Sequence, residues 1–144
     1  MSSPKGLPYQ TLSPEAYHWL GAVKVAVGKS RLGEQLIELV WLRTSQINGC
    51  AYCMEMHEEA LHAGGVPDAK LDAVLEWHVS EHFTERERAA LAWTEALTRV
   101  DRPRAPNDDY EWLKAYFGDV EISDLCFAIA LMDAFNRLAI GTWQ

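Results

Sequence analysis

Three side chains able to do covalent chemistry stand close together in Asn48-Gly49-Cys50-Ala51-Tyr52-Cys53-Met54-Glu55-Met56-His57, a C-x-x-C-x-x-x-H spacing. On a helix of about 3.6 residues per turn, Cys50, Cys53 and His57 fall within an arc of about 60°, so two thiols and an imidazole share one stripe. A thiol reacts as its thiolate, and a helix N-terminus or a neighbouring imidazole favours that form near neutral pH. Both devices are present, because Cys50 lies near a helix start and Cys53 and His57 form an i, i+4 pair. The i, i+3 spacing also lets the two cysteines close a disulfide, one attacking and the other resolving. The helix dipole favours Cys50 as attacker and the imidazole favours Cys53; the spacing alone leaves both open.

Glu38 is the one carboxylate in Gln35-Leu36-Ile37-Glu38-Leu39-Val40, the apolar run of the preceding helix. If the two helices fold back antiparallel at Gly49, Glu38 lies about 16 Å up from the turn and His57 about 12 Å up the other side, at roughly 1.5 Å per residue. Glu38 then meets His57 rather than Cys50, which predicts a relay in which Glu38 orients or protonates His57 and His57 takes the proton of Cys53. A lone Glu in an apolar helix is otherwise a rim residue with its head in water, and Tyr52, Met54 and Met56 are otherwise packing. Glu55, Glu58 and Glu59 read as a solvated face.

Other patterns carry less. His57-Glu58-Glu59-Ala60-Leu61-His62 misses the H-E-x-x-H spacing of zinc proteases by one residue. His78-Val79-Ser80-Glu81-His82 matches the inverted H-x-x-E-H pattern, but it sits in a short junction and reads as surface histidines. A structural zinc site of Cys50, Cys53, His57 and Glu38 or His62 fits poorly, because zinc sites of this type place C-x-x-C on a turn with the other ligands on a separate element. Cys126, within an apolar helix, reads as a small core residue.

The elements that must position these groups are helical throughout. Residues 1 to 12 read as an irregular arm, with Pro4, Gly6 and Pro8. Ser13-Pro14-Glu15 opens a helix running to about Gly28. Gly33 to Asn48 is a second helix with Gly49 as a left-handed stop, and the third begins at or near Cys50 and ends at Gly64-Gly65. Pro67-Asp68 starts a short fourth, after which Trp77 to Phe83 is ambiguous. Thr84-Glu85-Arg86-Glu87 is a capping box opening a fifth, and Asp101 to Asn107 is a loop. A sixth spans Asp108 to Phe117, and Ser123 caps a seventh running to about Ile140. The expected fold class is all-α: one domain over residues 1–144, of about seven helices, with the C-x-x-C at the start of the third.

With 144 residues, 49% of them hydrophobic, and 6 Trp, the chain can bury a core as one domain. A net charge of -8 argues against nucleic acid and anionic lipid as partners. The first residues carry no apolar run, and Leu125 to Met132, the longest, is far short of the roughly 20 residues that cross a bilayer. A cytoplasmic, soluble protein is expected, and three cysteines disfavour a structural disulfide framework. Leu125 to Met132 is apolar on every side, which suits a buried central helix or one shared between subunits, and a homo-oligomer is expected.

Glu38, Arg43-Thr44-Ser45-Gln46-Ile47-Asn48-Gly49-Cys50-Ala51-Tyr52-Cys53 and His57 together resemble the alkylhydroperoxidase AhpD / carboxymuconolactone decarboxylase family. The similarity continues through Ala63-Gly64-Gly65 and Phe83-Thr84-Glu85-Arg86-Glu87 to Leu97-Thr98, and so covers most of the chain. The resemblance implies an all-helical fold, trimers or hexamers, and thiol peroxidase activity on an organic hydroperoxide or hydrogen peroxide without metal or organic cofactor. It implies Cys53 as the peroxidatic cysteine, Cys50 as the resolving one, Glu38 and His57 as the proton relay, and a dithiol, thioredoxin-like or lipoyl reductant. The chain departs from AhpD at Tyr52, where the family carries a second histidine. Two other functions share the motif: a decarboxylase using His57 and Glu38 for proton transfer, which has no need of paired thiols, and a thiol-based redox sensor or interaction protein.

Overall fold

The computed structural model describes residues 6–102 and 107–144. Among them are eight α-helices and a 3₁₀ turn, with no strand: α1 (Tyr9–Leu12), α2 (Pro14–Gly28), α3 (Glu34–Asn48), α4 (Ala51–Ala63), α5 (Asp68–Asp72), the 3₁₀ turn Val74–Glu76, α6 (Glu85–Thr98), α7 (Asp108–Lys114) and α8 (Asp119–Gly141). The all-α expectation holds. The N-terminal arm contributes an extra turn, α1, so the C-x-x-C helix is the fourth rather than the third.

The centre of the molecule is α3, which packs on α4, α6 and α8. Its residues from Leu39 to Ser45 are all buried, so this helix is wrapped on every side and its polar groups must be satisfied internally. Trp41 Nε1 donates to the carbonyl of Ala128 at 2.9 Å, tying α3 to α8. One apolar cluster joins α2, α3, α6, α7 and α8 around Trp41, Leu113, Leu125 and Ile129; a second joins α3, α4, the 3₁₀ turn and α6 around Leu42, Leu61, Val74 and Leu91.

Several boundaries move for local reasons. The capping box at Thr84 is present: Thr84 Oγ1 accepts from Glu87 N–H and Glu87 Oε1 accepts from Thr84 N–H. By contrast, Ser123 caps nothing. The N-cap lies five residues earlier, at Gly118, so the last helix starts at Asp119, and Glu121 Oε1 accepts the N–H of Gly118. The helix after the 101–107 loop ends at Lys114 instead of Phe117, and residues 103 to 106 of that loop, like residues 1 to 5 of the arm, lie outside the described residues. Trp77 to Phe83 is a run of turns anchored by the buried rings of Trp77 and Phe83, its carbonyls collected by the guanidinium of Arg88. His78 and His82 are exposed there, off any helix, so the inverted zinc pattern lacks its scaffold.

The chain itself covers most of α8: Leu125, Ala128, Ile129, Leu131 and Met132 are buried, while Phe127 stays 60% exposed. The opposite situation holds on α2, where only Val27 is buried and Trp19 and Val25 face outward. No helix among the described residues is long and apolar enough to cross a membrane.

Candidate functional site

The site is built at the break between α3 and α4. Gly49 takes φ 71°, ψ 31°, a left-handed conformation that costs other residues roughly 1 kcal/mol or more, and the N–H of Cys50 returns to the carbonyl of Ser45 at 3.1 Å. The chain thus turns back antiparallel in two residues. Cys50 is the N-cap of α4, in extended conformation, and its Sγ accepts the N–H of Cys53 at 3.3 Å. A sulfur in the N-cap position faces the positive end of the helix dipole. Cys50 and Cys53 are joined as a disulfide across a Cα–Cα distance of 5.3 Å.

A polar lock from α8 holds this turn. Asn136, fully buried, donates through Nδ2 to Ser45 Oγ at 3.0 Å and accepts at Oδ1 from Asn48 Nδ2 at 3.1 Å. Asn48 Nδ2 also donates to Asp133 Oδ1 at 2.6 Å. The residues on either side of the turn are therefore fixed by a helix more than eighty residues away in sequence.

Glu38 and His57 meet as the antiparallel geometry requires. His57 is 2% exposed, and its Nδ1 lies 2.8 Å from Glu38 Oε2. With Glu38 ionised, this hydrogen bond assigns the proton to Nδ1 and leaves Nε2 as the basic nitrogen. Nε2 points to Met132 Sδ at 3.3 Å, and the ring packs at 5.7 Å from that of Trp41. A thioether from α8 thus stands at the ring nitrogen that Glu38 leaves free. In the sequence, Met132 was one apolar residue among eight in a core helix, and no local signal marks it as a neighbour of the imidazole.

Two cavities open at the site, one on Cys53 and one on Glu38, and His57 lines neither. One, of about 220 Å³, is lined by Cys53 and Met132 together with Tyr9, Tyr17 and Tyr52; Cys50 does not line it. The other, of about 400 Å³, is lined by Glu38 with Glu34, Gln35 and residues of α4, and shares no residue with the first. The remaining sequence candidates stand apart: His62 is exposed on Asp68 at 3.1 Å. Among the described residues no group of three or more His, Cys, Asp and Glu converges as metal ligands, so the four-ligand zinc arrangement is not formed. Cys126 is a half-buried free thiol packed against the main cluster.

The sequence pattern of the carboxymuconolactone decarboxylase family matches residues 14–96, from the start of α2 through most of α6. The chain belongs to the carboxymuconolactone decarboxylase family. Its AhpD-like character is carried by a crystal structure from Agrobacterium tumefaciens, of a protein of unknown function proposed as an antioxidant defence protein AhpD. That protein is 35% identical with TM-score 0.93, over 98% of this chain and 97% of that one. The uncharacterized protein YdfG of Bacillus subtilis is 25% identical over 133 residues, 92% of this chain and 90% of its own. An uncharacterized peroxidase-related protein from Ralstonia eutropha, an alkylhydroperoxidase AhpD core, shares the fold at TM-score 0.80 and 21% identity, over 92% of this chain and 70% of that one. The carboxymuconolactone decarboxylase family match spans the whole α3–α4 hairpin, and thus Glu38, Cys50, Cys53 and His57 together.

Proposed function

We propose that the protein is a thiol peroxidase of the AhpD type, with Cys53 as the peroxide-reactive cysteine. The observation that carries this reading is the asymmetry of the disulfide: both sulfurs are buried, but Cys53 lines a cavity and Cys50 does not. The peroxide is met in that cavity, and the resolving sulfur waits behind it.

In the reduced state the Cys53 thiolate attacks the terminal oxygen of a hydroperoxide. The O–O bond breaks, Cys53 becomes a sulfenic acid, and the alkoxide leaves as the alcohol after taking a proton. His57, held by Glu38, receives the Cys53 proton and returns it to the leaving oxygen. Cys50 thiol then condenses with the sulfenic acid, water departs, and the Cys50–Cys53 disulfide forms. An external dithiol, oxidised in turn to its own disulfide, restores both thiols by exchange. The N-cap position of Cys50 suits the second step, since its sulfur accepts a backbone N–H from Cys53 at 3.3 Å. Such a cycle needs a reducing compartment, for which the cytoplasm is the natural setting.

We also place the working protein in a homo-oligomer, a trimer or hexamer. Supporting this is α2, a 15-residue helix with one buried residue and with Trp19, 61% exposed, on its outer side. A helix so apolar and so little covered by its own chain is suited to packing against a second copy.

The test is a thiol count on reduced protein before and after one equivalent of an organic hydroperoxide. Two thiols should disappear and return on adding a dithiol. Cys53→Ser should consume no peroxide, and Cys50→Ser should leave a sulfenic acid that a dimedone-type reagent traps. Unchanged turnover in Cys53→Ser overturns the mechanism.

A further inference from the structure

The cavity at Cys53 has a chemistry of its own. It draws on α1, α2, α4 and α8, and at about 220 Å³ it lies below the roughly 300–1,000 Å³ of pockets for drug-sized ligands, so it suits a small molecule. Its walls are the rings of Tyr9, Tyr17, Tyr52 and Phe135 with the thioethers of Met56 and Met132, a lining that favours an aromatic or branched apolar body. Tyr9 and Tyr17 meet edge to face at 5.9 Å. Burial, together with the phenols of Tyr17 and Tyr52, pushes the Tyr9 hydroxyl above its ordinary value of 10.0, so it stays a hydrogen-bond donor.

One charged side chain lines this cavity, Lys24 of α2. It forms no ion pair among the described residues; its ammonium lies 5.7 Å from the ring centre of Trp41, the ring that packs on His57. A cation set over an aromatic face beside the reactive centre, with no carboxylate to satisfy it, stands out on a chain of net charge -8. The overall field repels anions, so an anion reaching Cys53 must be drawn by a local charge.

We propose that Lys24 makes this cavity selective for a small hydroperoxide that carries a carboxylate on an aromatic or branched apolar body, the carboxylate pairing with the ammonium while the peroxide meets Cys53. The inference rests on the peroxidase reading and names the substrate class of that same site. Lys24 is exposed at the mouth of the cavity, and selection by one charge pair there corresponds to about threefold to fivefold in affinity.

The experiment compares cumene hydroperoxide with its para-carboxylate analogue in the wild-type protein, Lys24→Met and Lys24→Arg. The expected result is a kcat/KM ratio favouring the carboxylate in the wild type. That ratio falls by about threefold to fivefold in Lys24→Met, with the loss in KM of the carboxylate substrate, and is largely kept in Lys24→Arg. Rising salt should erode the preference. An equal loss on both substrates in Lys24→Met would show that the ammonium serves the thiol instead, and overturns the proposal, as does an unchanged ratio. Binding of the two corresponding alcohols, measured by calorimetry, separates this from failure of the peroxidase reading. If neither hydroperoxide turns over, a wild-type preference for the carboxylate alcohol that Lys24→Met abolishes still supports the site, and equal binding sinks it.

Discussion

Nδ1 of His57 lies 2.8 Å from Oε2 of Glu38, across the α3–α4 hairpin and nineteen residues along the chain. This contact orients an imidazole that is otherwise enclosed by Trp41 and Met132. A glutamine at position 38 keeps a hydrogen bond but loses the charge that holds the proton on Nδ1. Glu38→Gln should therefore lower kcat/KM for a hydroperoxide by about 10²-fold, a typical contribution of general acid–base catalysis, with little change in thermal stability. Stopped-flow consumption of peroxide by the reduced protein, alongside calorimetric melting, checks it. Activity within twofold of wild type would remove Glu38 from the relay.

Asn136 tests how far the turn must be held from α8. Asn136→Leu leaves the Ser45 hydroxyl without its amide donor and takes one acceptor from Asn48, with Asp133 still in place. A stability loss of about 1–3 kcal/mol follows from a buried polar partner removed. The sharper consequence is functional: disulfide closure between Cys50 and Cys53 after peroxide addition should slow, and the sulfenic acid should become trappable even with Cys50 present. Wild-type resolution kinetics would show that Gly49 alone sets the turn.

Glu95 offers a test that leaves the redox pair untouched. Its Oε1 accepts from Arg43 Nε at 3.1 Å and Trp77 Nε1 at 2.7 Å, and Arg43 Nη2 lies 3.0 Å from the same oxygen, so one carboxylate ties α3, α6 and the turns after the 3₁₀ segment. Breaking a fully buried pair costs about 3–5 kcal/mol. Because Glu95 is about a quarter exposed, Glu95→Ala should cost less, about 2–3 kcal/mol, readable by urea unfolding. A cost below about 0.5 kcal/mol would mark the pair as a surface ornament.

How much of this was legible in the chain depends on sequence distance. The α3–α4 hairpin is local: apolar runs, Gly49, and C-x-x-C-x-x-x-H spacing specify two antiparallel helices, and 1.5 Å per residue on each side brings Glu38 to His57. The Thr84 capping box is local too, and was readable for that reason. The start of α8 was misplaced because Ser123 is a common N-cap type, whereas the helix begins at Gly118 with Glu121 supplying the reciprocal bond. The arm held a helical turn that Pro4, Gly6 and Pro8 disguised.

The sequence by itself determined the all-helical class, the pairing of the two thiols and the meeting of Glu38 with His57, because each rests on helical periodicity and one tight turn. Only the tertiary structure decided that Met132 stands at Nε2, that Asn136 locks the turn, and that Cys53 rather than Cys50 lines the cavity with Lys24. Those relationships join α2 and α8 to a hairpin many residues away. Contacts of that range follow from how buried faces pack, and no pattern within one helix records them.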